Sequence, residues 1–71
     1  MKLSEFINHI KHNSVGIDIF GYDTAKMYYT GTIGTYKTSV VKDKINDVEI
    51  GKIEPLFTSL NIFIKDGKLN G

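Results

Sequence analysis

Thr30 to Ser39, TGTIGTYKTS, carry the densest set of groups suited to holding a phosphate: two glycines three apart, four threonines and a lysine. A phosphate loop turns consecutive backbone N–H groups toward the anion and sets a lysine against its charge. Gly31, Gly34, Lys37 and Thr38 are the residues that would do so here. The spacing departs from Gly-x-x-x-x-Gly-Lys-Ser/Thr, because Thr35 and Tyr36 separate Gly34 from Lys37. GTIG also has the form of the loop with which KH domains clamp a nucleic-acid backbone. There it joins two helices, whereas here its flanks read as extended. The competing reading is a bulge or sharp bend, with the threonines as ordinary strand residues.

Glu5, His9 and His12 are spaced i, i+4 and i+7 and would share one face of a helix. Two histidines and a carboxylate form a known zinc set. Asn8 and Lys11 occupy the same surface and no distant ligand closes the shell, so no metal site is expected. The chain has no cysteine, which removes thiolate chemistry, disulfides and cysteine-based zinc sites. A serine or threonine nucleophile would need His9 or His12 beside it, and no Gly-x-Ser-x-Gly turn presents one. The carboxylate pairs Asp47 with Glu49 and Asp43 with Asp47 read as solvated charges. The expected role is therefore non-enzymatic and without cofactor.

The 71 residues suit one domain, 1–71, with a frayed tail from about 67. Leu, Ile, Val and Phe make up 22 of them, ten being Ile, so the chain is apolar enough to fold. Twenty β-branched residues bias it toward strands. No apolar run is long enough to span a bilayer and no signal-peptide block opens the chain, so a cytoplasmic protein is expected. All nine cations are lysine, set among eight acids for a net charge of +1. Without arginine to grip phosphates and guanines in two-pronged fashion, a nucleic-acid partner is not expected. A domain of this size buries little surface, which leaves homo-oligomerisation open.

Leu3, Phe6, Ile7 and Ile10 form the stripe of a helix over about 4–12, with Ser4 as its cap. Val15 to Phe20 and Lys26 to Ile33, separated by a Gly/Asp turn, read as a hairpin. Residues 39–46 read as a loop or one helical turn, and 47–53 as a strand ended by Pro55. Ser59 to Lys65 alternates Leu60, Ile62 and Ile64 against Asn61 and Phe63, a last strand before the Asp66-Gly67 turn. The expected fold is α+β, one N-terminal helix on one face of a small antiparallel sheet of about four strands.

One helix shields one side of such a sheet. With Met27 and Tyr29 pointing inward, the other side would carry Asp18, Phe20, Tyr28, Thr30, Asn61, Phe63 and Lys65. Aromatics among polar neighbours are typical of interface patches, and equally of cross-strand packing on an exposed sheet. For docking, Phe20, Tyr22, Tyr28, Tyr36 and Phe63 are the expected contacts, since aromatic side chains dominate interface energetics.

KLSEFINHIK, then VGIDIFGYDTAKMYYTG, then IEPLFTSLNIFIK give a pattern, over roughly residues 2–65, that resembles the small orphan proteins of Firmicutes phages and mobile elements. Some of these, anti-CRISPR proteins among them, act stoichiometrically by occluding a host defence protein. The resemblance implies a bacterial defence protein as partner and assigns no residue a role. Two alternatives stand beside it: a nucleotide or nucleic-acid binding, sponge-like oligomer built on the Gly31–Ser39 segment, and a self-associating structural component.

Overall fold

A computed structural model describes residues 1–69. These residues fold as a small α+β domain in which three short helices lie against a four-stranded sheet. In chain order the elements are α1 (Leu3–His9), β1 (Gly16–Gly21), β2 (Met27–Thr32), α2 (Ile33–Lys37), α3 (Val41–Ile45), β3 (Ile50–Pro55) and β4 (Ser59–Ile64). No helix among the described residues is long and apolar enough to cross a membrane.

The sheet is mixed, which corrects the expectation of a wholly antiparallel one. Its order is β2-β1-β4-β3, so two antiparallel hairpins meet along a parallel seam between β1 and β4. The chain between the hairpins forces this arrangement. Residues 33–45 form α2 and α3 and carry the chain past β1 before β3 begins. A parallel neighbour needs such a crossover, whereas a two-residue turn would have made the next strand antiparallel.

The parallel seam sets Ile17 opposite Leu60 and Ile19 opposite Ile62, and alternation sends these residues to one side. There Ile17, Ile19, Ile62 and Ile64 form the buried core with Leu3 and Ile7 of α1, Ile33 and Tyr36 of α2, and Ile45 of α3. All three helices thus bury against the same side of the sheet.

Helix α1 starts a residue earlier than its serine suggested, and Ser4 does not cap it. Leu3 N–H donates to the Val48 carbonyl and Ser4 N–H to that of Asn46, both at 2.9 Å. Glu5 reaches back to accept the Lys2 N–H at 2.8 Å. These bonds satisfy first-turn donors that a serine cap would otherwise serve. The helix ends at His9, with Ile10 already extended.

Helix α2 was not expected. Thr32 caps it by accepting the Thr35 N–H at 3.2 Å, while the Thr35 hydroxyl accepts the Thr32 N–H at 3.0 Å. Gly31 precedes this cap at φ +155°, where a Cβ would meet the Tyr29 hydroxyl at 2.8 Å and Thr35 Oγ1 at 2.9 Å. Only glycine fits that crowded, positive-φ position. Of the expected frayed tail, Gly67 to Leu69 form a turn, with Leu69 N–H donating to the Asp66 carbonyl at 3.0 Å and Gly67 N–H to the Asp23 carboxylate at 2.8 Å. Asn70 and Gly71 lie outside the described residues.

Candidate protein-docking face

The side of the sheet away from the helices is organised in rows by strand register. One row is polar: Thr30 opposite Asp18, Asp18 opposite Asn61, Asn61 opposite Glu54. The next is largely apolar: Met27 opposite Phe20, Phe20 opposite Phe63, Phe63 opposite Lys52. Phe20 and Phe63 are brought together by the parallel seam and stack with ring centroids 5.4 Å apart at 23°. The Lys52 ammonium lies 4.8 Å from the Phe63 ring and 3.3 Å from the Glu54 carboxylate. Thr30 donates its hydroxyl to Asp18 at 2.5 Å.

Tyr22 follows β1 and keeps it joined to β4, its N–H donating to the Ile64 carbonyl at 2.7 Å. Its ring crosses to β3 and lies over Gly51, where a Cβ would approach it to 2.8 Å. Gly51 is the extra residue of a bulge between Ile50 and Lys52, so the bulge makes the bare backbone on which the ring rests. Phe20 and Phe63 are half-buried by each other and by their flanks, while Tyr22 is 54% and Met27 48% exposed. The face thus carries a stacked aromatic pair beside a polar row, with one charge pair at its β3 edge.

Two of the five expected contacts belong elsewhere. Tyr36 is fully buried in the core, because α2 turns it onto the helical side of the sheet. Its ring meets Tyr29 edge-on at 5.4 Å, and burial, with Asp43 adding to it, pushes its hydroxyl up to about 12. Tyr28 is displaced by a bulge in β2: Tyr29 pairs with Ile19 and Met27 with Phe20, leaving Tyr28 as the extra residue. It packs against the core and donates its hydroxyl to Asp66 at 2.7 Å. Met27, expected inward, is instead the residue in register with Phe20. Phe20, Tyr22 and Phe63 remain on the open face.

The Gly31–Ser39 segment spends its backbone donors within the protein. Ile33 N–H donates to Val15 and Gly34 N–H to Asn13, both at 2.9 Å, while Thr32 and Thr35 cap each other. The Lys37 ammonium donates to the Asn13 side chain at 3.4 Å, and the Thr38 hydroxyl to the Thr35 carbonyl at 3.2 Å. These N–H groups do not converge on an open site. Glu5, His9 and His12 do not converge either, since α1 stops at His9, whose Nδ1 donates to the Glu5 carbonyl at 2.7 Å. Among the described residues no group of three His, Asp or Glu side chains is placed to hold a metal.

The tip of the β3–β4 hairpin was missed. Phe57 is wholly exposed and Leu56 about half so, at 104% and 52%. The signal was present: Leu56-Phe-Thr58 lies between two strands, so its apolar side chains project past the sheet with little to pack on. Of the known proteins compared, no family model, no curated protein and no solved structure matches this chain.

Proposed function

We propose that the chain is a non-enzymatic protein-binding module that docks through the open sheet face and the Leu56-Phe57 tip. The observation that carries this reading is the stacked Phe20–Phe63 pair, flanked by exposed Met27 and Tyr22, on the side that none of the three helices packs against. Aromatic groups already held in place by cross-strand stacking lose little freedom on binding, which favours them as anchors. A bacterial defence protein is the partner class to test first. That choice rests on the likeness of the hydrophobic pattern to small phage proteins, and the mode of action would be occlusion of a working surface.

The test compares capture from bacterial lysate by the wild-type protein and by a Phe20→Ala/Phe63→Ala double variant, with circular dichroism checking the fold. Each ring is expected to contribute about 2 kcal/mol, so the double variant should lose well over ~100-fold in affinity for the captured protein while remaining folded. Undiminished capture by the folded double variant would remove the face from the interface. A Phe57→Ser variant tests the tip separately, with a smaller loss expected and the fold unchanged.

A second reading is self-association through the same face, which carries both charge signs in Asp18, Glu54 and Lys52 and would suit a two-fold copy. Sedimentation velocity separates the two: a dimer that the double variant converts to monomer favours self-association, and a monomer at all concentrations excludes it.

A further inference from the structure

At the β2 edge of the domain, between the start of that strand and α3, lies a cleft of ≈ 520 Å³. Met27, Tyr28, Val41, Ile45 and Leu69 supply an apolar lining, and Lys26 and Lys44 are its two charged residues. No acid lines it. A second cleft of ≈ 440 Å³ differs in this respect, being lined by Asp23, Asp47 and Glu49 as well as Lys65 and Lys68. Mixed charges give that one no preference of sign.

The two lysines of the first cleft are uncommitted to acids. Among the described residues neither forms an ion pair, the two pairs present being Met1 with Glu49 and Lys52 with Glu54. The Lys26 ammonium sits 5.3 Å from the centre of the Tyr28 ring, a contact that keeps it beside the apolar lining. Tyr28 is itself anchored through its hydroxyl to buried Asp66, so this wall is rigidly held. The volume lies within the range of small-molecule sites. Apolar walls with cations alone are the complement of an amphiphilic anion.

We propose that this cleft binds a small apolar carboxylate, its hydrocarbon body against Met27, Val41 and Ile45 and its carboxylate at Lys26 and Lys44. The site shares Met27 with the margin of the docking face but involves none of the Phe20, Phe63 or Phe57 side chains.

The experiment is an amide chemical-shift titration of the full chain with octanoate, octylammonium and 1-octanol, three probes that share a tail and differ in charge. Octanoate is expected to give saturable shifts at Met27, Tyr28, Val41, Lys44 and Ile45. Octanol should bind about tenfold more weakly and octylammonium more weakly still, since two solvent-accessible ion pairs contribute about 1 kcal/mol or less each. A Lys26→Gln/Lys44→Gln variant, altered only at exposed or partly exposed positions that make no ion pair, should bind octanoate no better than octanol. Equal affinity for all three probes overturns the proposal. So do shifts centred on Phe20 and Phe63, unchanged octanoate binding by the variant, or no saturable shift at all.

Discussion

Tyr36→Ala is expected to destabilise the protein by about 3–5 kcal/mol, the range for removing a fully buried aromatic ring. The ring is wholly inaccessible and touches Tyr29 edge-on, so alanine leaves a void between α2 and the sheet. Small domains have only about 5–15 kcal/mol to lose, and this loss would leave the variant partly unfolded near body temperature. Urea denaturation followed by circular dichroism reads it as a lowered midpoint at unchanged slope. Tyr36→Phe is the control. The hydroxyl makes only a long 3.5 Å bond to Asn46, so its removal should shift stability by no more than about 1 kcal/mol. The same variant should alter the alkaline limb. Tyr36 titrates near 12 when folded and near 10 unfolded, so its contribution is intact below about pH 10 and is lost as pH rises through 12. Tyr36→Phe should lack that loss. A Tyr36→Ala variant as stable as wild type would mean that α2 does not close the core.

In the sequence Tyr36 reads as a docking aromatic, and in the fold it is a core residue. Alternation told correctly which residues of β1 and β4 share a side, and from it the opposite placement of Phe20 and Ile17 followed. It cannot say which strand lies next to which, so the parallel seam that stacks Phe20 on Phe63 was not legible. The stripe Leu3, Phe6, Ile7, Ile10 announced α1 because it repeats over two turns. Helix α2 has room for only Ile33 and Tyr36, one apolar pair three apart, inside a segment whose threonines and glycines read as strand. Tyr28 failed for another reason: one bulged residue reverses the parity of everything before it in the strand. Long-range polar contacts were the least visible of all. Asp66 looked like half of an Asp-Gly turn, yet its partners are residues 23, 24 and 28.

Asp66 is where those partners carry the second large effect. Its carboxylate is fully buried beneath the β1–β2 turn. It accepts the Asp23 N–H at 3.0 Å, the Thr24 hydroxyl at 2.5 Å and the Tyr28 hydroxyl at 2.7 Å. Asp23 returns the contact by accepting the Gly67 N–H at 2.8 Å, so the turn and the end of β4 clasp each other. Burial pushes the Asp66 carboxyl up, but the bonds from Thr24, Tyr28 and the Asp23 backbone outweigh it and hold the group at about 2, below the ordinary 3.8. Asp66→Ala would strand three donors and should lower stability by about 3 kcal/mol. Asp66→Asn, which retains an acceptor oxygen but sets an amide against donors, should recover part of this. Because the folded carboxyl titrates below the unfolded one, its contribution is fully present above about pH 4 and is lost as pH falls through about 2. Urea midpoints measured at descending pH should therefore fall for the wild type by on the order of 2 kcal/mol more than for Asp66→Asn across that window. Parallel curves for the two proteins would show that the clasp binds the proton as readily folded as unfolded, and that the acid sensitivity of the domain lies in its other carboxylates.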